Sequence, residues 1–141
     1  AQEAAAAGVR WTFAPMVDIG RDARWGRVVE GAGEDVWLSS RVAAARVRGF
    51  QGALQAPGTV LATAKHFAAY GLAEAGRDYA TAEVSSLTLR SVYLPPFRAA
   101  VDAGVGSIMS AFNDIAGIPA SAHRWLLTDV LRKEWRFDGF V

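Results

Sequence analysis

Lys65 and His66 interrupt the apolar run Val60-Leu-Ala-Thr-Ala-Lys-His-Phe-Ala-Ala69, which then opens into the glycine-punctuated loop Tyr70-Gly-Leu-Ala-Glu-Ala-Gly-Arg-Asp-Tyr79. Only two of the 15 basic residues are lysine, Lys65 and Lys133. An ammonium is costly to desolvate, so Lys65 is expected either to pair with a carboxylate for structural reasons or to face a pocket beside His66. Two further places gather chemistry. Asp18 closes the apolar segment Val9–Ile19 and is followed by five charged residues between Arg21 and Glu30; Asn113 and Asp114 follow Ser107-Ile-Met-Ser-Ala-Phe112. No glycine-rich phosphate loop of the G-x-G-x-x-G or G-x-x-x-x-G-K type and no G-x-S-x-G nucleophile turn is present. The two histidines, His66 and His123, have no partner at ligand spacing, and there is no cysteine, so no metal site and no disulfide is expected. What remains is Arg, Lys, His, Asp and Asn alongside Trp25, Trp37, Tyr70 and Tyr79. That inventory suits a sugar, whose hydroxyls take hydrogen bonds from fixed charged groups and whose apolar ring face rests on aromatic or thioether side chains.

These residues need a scaffold. Gln2–Ala7 reads as the last turns of a helix stopped at Gly8, which suggests a start lying before residue 1. Val9–Ile19 reads as a strand whose Pro15 implies an edge, a bulge or a strand end near a site. Gly20–Asp35 is loop-like. Val36 to about Gln51 has helical apolar spacing, with Val42, Ala45 and Phe50 in the pattern and Gly49 and Gly52 at its end. The run from Val60 is the second strand. A helix capped by Ser85 or Ser86 follows, is kinked or restarted at Pro95-Pro96, and stops at Gly104. Ser107–Phe112 is the third strand, the polar stretch Asn113–Ser121 a loop, and a last helix runs from near Ser121 to Trp135, before Phe140-Val141 begins a further strand. The alternation of strand and helix predicts a parallel sheet in which Asp18, Lys65-His66 and Asn113-Asp114 converge on the rim at the carboxyl ends of the strands.

At 141 residues and 52% hydrophobic, the chain is one domain's worth of material. A net charge of +1 with dispersed basic residues argues against nucleic acid or an anionic membrane as partner, and no run reaches the roughly 18 apolar residues of a membrane span.

The stretches Phe13–Asp35, Lys65-His-Phe-Ala-Ala-Tyr-Gly71, Gly76-Arg-Asp-Tyr79, Met109-Ser-Ala-Phe-Asn113 and Trp125–Leu131 resemble, in this order, the N-terminal barrel domain of glycoside hydrolase family 3, β-glucosidase type. The resemblance implies an α/β fold, part of a (β/α)8 TIM-like barrel truncated at both ends, with residues 1–141 as a central fragment of that domain. It implies that Arg27 binds the sugar in the cleaved-bond subsite, that Lys65 and His66 hydrogen-bond its hydroxyls, that Arg77 makes a further hydroxyl or rim contact, and that Met109 walls the neighbouring subsite. Phe112 stands where many members carry Tyr, which removes a hydroxyl that lies near the nucleophile in relatives. Ala23 and Val36-Trp37 also depart from the common pattern, as loop changes. Arg24, Trp25, Glu30, Asp35 and Asp78 are expected to hold the loops by ion pairing and packing, Asp18 and Asn113 are balanced between structure and site, and His123 is expected to be a solvated helix residue. Trp125, Leu126, Val130 and Leu131 fit a core at helical spacing.

Retaining glycosidases use a carboxylate nucleophile and an acid/base carboxyl group about 5 Å apart. By the resemblance, the nucleophile falls just beyond Val141 and the acid/base in a later domain. The expected parent is therefore a retaining β-glycosidase that removes terminal β-D-glucosyl residues, without cofactor, its partners being a β-glucoside or oligosaccharide and the remainder of its own chain. A β-xylosidase or β-N-acetylhexosaminidase of the same family, and a non-catalytic sugar-binding barrel, are the alternatives. The resemblance points to a periplasmic or secreted location.

Overall fold

Four extended segments run parallel, and their order in space follows their order in the chain. In the computed structural model, which describes every residue except Gln55, the central pair is β1 (Thr63–Phe67) and β2 (Ser107–Ser110), with Thr63 opposite Ser107, Ala64 opposite Ile108 and Lys65 opposite Met109. On the other side of β1 the stretch from Arg10 to Val17 pairs through parallel bridges at Trp11–Leu61 and Met16–Lys65, and beyond β2 Phe140 bridges Ser107. The fold is α/β, as the alternation predicts. The first expected strand is not continuous, however. Pro15 has no N–H to give a ladder, and the pairing survives on either side of it, where Thr12 N–H donates to Leu61 and Val17 N–H to Lys65.

Helix α1 (Gln2–Ala6) precedes the first segment, and α2 (Val36–Gln51), α3 (Ser86–Thr88) and α4 (Pro95–Asp102) lie in the connections between successive segments. Asp35 caps α2, its Oδ1 accepting the Leu38 N–H at 2.6 Å, and Gly52 ends it at φ +47°. The buried stripe of α2 is Ser39, Ala43, Val47 and Gln51, an i, i+4 series; Ala45 is exposed, while Val42 and Phe50 are only half-buried. The sequence pattern misplaces this face because alanines populate both sides of the helix. Gln51 fixes α2 to the sheet: its amide donates to Gly104 O (2.8 Å) and its oxygen accepts from Ala62 and Gly106 N–H (3.1 and 2.9 Å). Ser85 caps α3, which winds into a π-turn over Leu89–Tyr93 before α4 restarts with Pro95 at its first position, where no N–H is required. α4 packs on both α2 and β1, and the core between helices and strands holds Val47, Phe67, Phe97, Ile108, Leu126 and Leu131.

The segment after β2 differs from the expected plain loop. Asp114–Ile115 (β3) and Ile118–Pro119 (β4) form an antiparallel hairpin around Ala116-Gly117, both at positive φ. The final helix also starts later than expected. Ala120–Ala122 is a 3-10 turn, and a π-helix spans Trp125–Glu134. His123 lies between the two, half-buried and with Nδ1 out of contact with water, rather than on a solvated helix face. Leu126, Val130 and Leu131 are buried as expected, whereas Trp125 is only partly covered, with the Arg90 guanidinium 5.2 Å from its ring centre.

Candidate functional site

The carboxyl end of β1 carries the chemistry. A bulge between Lys65 and Phe67 breaks the register with β2, and a bulge re-aims the side chains beside it. His66 is fully buried and its orientation is set by Asp18: Asp18 Oδ2 lies 2.8 Å from His66 Nδ1 and accepts the His66 backbone N–H at 3.0 Å. Burial raises the Asp18 pKa above 3.8, with the His66 hydrogen bonds and the Arg27 charge opposing. Lys65 is partly buried, its ammonium 3.9 Å from Glu30 Oε2. Glu30 also holds Arg27 in a two-pronged pair, Nε to Oε1 at 2.7 Å and Nη2 to Oε2 at 3.0 Å. The hydrogen bond from Arg27, with the Arg27 and Lys65 charges adding to it, keeps the Glu30 carboxyl below 4.5, and the same bond raises the Arg27 pKa.

An aromatic layer covers this cluster. Tyr70 packs edge-on to His66 (4.9 Å between ring centres), Trp25 (5.4 Å) and Phe112 (5.3 Å), with the Arg27 guanidinium 5.6 Å from its own ring centre. Phe112 and Tyr79, exposed at 48% and 63%, form the outer shelf, 5.6 Å apart. Phe112 lies 5.0 Å from the imidazole of His66. Within the layer and under it, the Tyr70 hydroxyl and His66 Nε2 are buried without hydrogen-bond partners, as is Asn113 Oδ1 on the residue after Phe112. Leaving such groups unpaired costs about 1–3 kcal/mol each, so their gathering here marks a place for a polar ligand.

The loop that carries Tyr70 and Tyr79 is anchored from below. A side chain at Gly71 would collide with the Ile19 carbonyl, and one at Gly76, which sits at φ +70°, would come within 2.7 Å of the Trp25 nitrogen. Trp25 Nε1 donates to Asp78 at 3.0 Å. Burial pushes the Asp78 pKa up, but the nearby Tyr70 hydroxyl, the hydrogen bond from Trp25 and the Arg27 charge outweigh it and leave the carboxyl below 3.8. Tyr70 is raised, by burial first and by Asp78 second. Its hydroxyl feels Asp78 and Arg27 without reaching either in hydrogen-bond geometry. Ala69, Ala75 and Tyr79 hold positive φ in this loop, backbone strain of the kind that collects at ligand sites.

Of the sequence-predicted residues, Arg27, Lys65, His66 and Phe112 come together, and Met109 stands opposite Lys65 in the register. Arg77 is exposed on the loop and makes no ion pair among the described residues. Asp35, Trp25 and Asp78 brace loops and helices, and Arg24 pairs with Asp22 in the open. Glu30 is more than a loop brace, since it faces both Arg27 and Lys65. Tyr70 was legible only as a loop aromatic. Its place between Arg27 and His66 comes from the fold of residues 68–79. A cavity of about 630 Å³ lies at the other end of the strands, beside Ala5, Arg10 and Leu61, and Arg10 is the one charged residue that lines it among the described residues. A cavity of about 360 Å³ does reach Lys65 and Glu30.

Residues 1–141 match the family model described as the glycosyl hydrolase family 3 N terminal domain. The chain is 49% identical to a periplasmic beta-glucosidase of Salmonella typhimurium, over its whole length and 19% of that protein. It is 45% identical to a beta-xylosidase of Formosa agariphila, over its whole length and 20% of that protein. A mutant beta-glucosidase from Listeria innocua, solved in complex with laminaribiose, superposes with a TM-score of 0.96 at 47% identity, covering 99% of this chain and 20% of that one. The chain thus spans about a fifth of the length of the relatives it matches. With the family model matched from end to end and the same backbone found in the Listeria innocua enzyme, this chain belongs to glycoside hydrolase family 3, in its N-terminal domain.

Proposed function

We propose that these residues form a central part of the (β/α)8 barrel domain of a retaining β-glycosidase and bind the terminal β-D-glucosyl residue of a glycoside or oligosaccharide. The observation that carries this reading is the grouping at one strand end of two cations, Arg27 and Lys65, with the unpartnered His66 Nε2, Tyr70 hydroxyl and Asn113 Oδ1. A sugar hydroxyl both donates and accepts, so it pairs with cationic donors and a bare nitrogen at once. Phe112 and Tyr79 offer apolar faces to the ring, Arg77 a rim contact and Met109 a wall toward the next sugar. The parallel pairing of four successive extended segments supports the barrel. The Salmonella typhimurium relative and the Listeria innocua complex support glucose as the sugar. A location in the periplasm is proposed from the first of these alone.

The carboxylates near the cluster are engaged by the fold: Asp18 with His66, Glu30 with Arg27 and Lys65, Asp78 with Trp25. The nucleophile and acid/base are accordingly assigned to parts of a longer protein. A β-xyloside is the second reading, favoured by the 45% identity to the Formosa agariphila beta-xylosidase. Initial rates of the full-length protein on aryl β-glucoside and aryl β-xyloside test both. A higher kcat/KM on the glucoside supports the first and a higher value on the xyloside the second. Saturable sugar binding with turnover of neither would make it a binding barrel.

A further inference from the structure

Asp18 is the one carboxylate of the cluster whose charge faces no solvent: it is 3% exposed, beside a His66 that is 0% exposed. Its Oδ2 receives two bonds from the same residue, the His66 backbone N–H and the ring Nδ1. The backbone N–H can only donate and an ionised carboxylate oxygen can only accept, so with Asp18 ionised the ring nitrogen 2.8 Å from Oδ2 is the donor. That leaves Nε2. It is buried and has no acceptor within reach, so a proton there would be an unpaired donor on a buried cation, the costlier state. We propose that Asp18 is a positioning residue: it locks His66 as the Nδ1–H tautomer, so that bare Nε2 accepts a hydrogen bond beside Arg27 and Lys65, which only donate. Asp18 touches no ligand itself. The half-exposed Phe112 ring sits 5.0 Å from the imidazole, so access of a hydroxyl to the buried Nε2 requires that ring to turn aside. The last step rests on the sugar-binding reading above, while the tautomer does not.

The experiment is nitrogen-15 NMR of the histidine rings in the full-length protein at neutral pH, with the His66 signals assigned by their loss in His66→Gln. The expected result is a neutral ring protonated at Nδ1. Asp18→Asn should keep that tautomer, because an amide oxygen in the Oδ2 position accepts both bonds. Asp18→Leu should release it to the Nε2–H form and raise KM for an aryl glycoside about tenfold, the loss of one hydrogen bond to a buried neutral acceptor, with a smaller change in kcat. A wild-type ring protonated at Nε2, alone or on both nitrogens, overturns the proposal even if neither variant folds. Addition of glucose should move the Nε2 signal. An Nδ1–H ring whose Nε2 signal glucose leaves in place sustains the role of Asp18 and refutes the sugar pocket.

Discussion

Replacing Arg27 by lysine keeps the charge and removes the fork. In the structure Arg27 sends two nitrogens to the two oxygens of Glu30, at 2.7 and 3.0 Å, and lays its guanidinium 5.6 Å from the ring centre of Tyr70. A lysine can keep at most one of the two bonds and loses the planar stacking. A charge-assisted hydrogen bond contributes about 1.5–3 kcal/mol when desolvated. Here the side chains of Arg27 and Glu30 are 24% and 39% exposed, and solvent screening reduces the lost bond to about 1 kcal/mol. The weaker cation–π contact adds roughly 0.5–1 kcal/mol. Arg27→Lys should therefore weaken inhibition by glucose by about 1.5–2 kcal/mol, or roughly 10- to 30-fold. The assay is the glucose inhibition constant of the full-length protein, beside its melting temperature and the values for Glu30→Gln and the double variant. Losses that fall short of adding in the double variant would show that Glu30 acts through Arg27. If Arg27→Lys bound glucose as tightly as the parent, Arg27 would lie outside the subsite and the geometry drawn from it would be wrong.

Lys65→Ala should lower kcat/KM of the full-length protein by roughly 2–4 kcal/mol with little loss of thermal stability; near-normal kinetics with a collapsed melting temperature would make Lys65 a structural cation only. Acid should loosen the 20–35 loop. The Glu30 carboxyl is held below its ordinary 4.5, so its stabilising contribution is fully present above 4.5 and is lost as pH falls through the lowered value, and Glu30→Gln should flatten the melting temperature in that window. Asp18 has the opposite sign: its pKa is raised, so its contribution is present below 3.8 and lost as pH rises through the folded value. The isolated 141-residue polypeptide should leave an aryl glucoside intact and self-associate, because Trp11, Phe13 and Phe140 stand 46%, 52% and 47% exposed in one edge-to-face cluster at the sheet. A sharp melt of a monomer in light scattering and calorimetry would refute the self-association, and turnover above blank would require a nucleophile within residues 1–141, Asp78 or Asp114 first.

The order of strands and helices, the bounds of α2 and the restart at Pro95-Pro96 were legible in the sequence because each follows from local rules: apolar period, glycines at a helix end, prolines without an N–H. Lys65 and His66 stood out for the same reason, as charged types inside an apolar run. The hairpin around Ala116-Gly117 was not legible, because the polar stretch Asn113–Ser121 looks like loop throughout. What the sequence left open was partnership. Asp18 and His66 are 48 positions apart, Trp25 and Asp78 are 53 apart, and nothing local distinguishes a carboxylate that bonds an imidazole from one that caps a loop. Only the parallel pairing of residues 10–17 with β1 sets Asp18 beneath His66, and only the close approach of Gly71 and Gly76 to Ile19 and Trp25 brings Tyr70 in over Arg27. Pair geometry depends on the register of strands distant in the chain, and register is settled by packing of the whole sheet rather than by the preferences of any one segment.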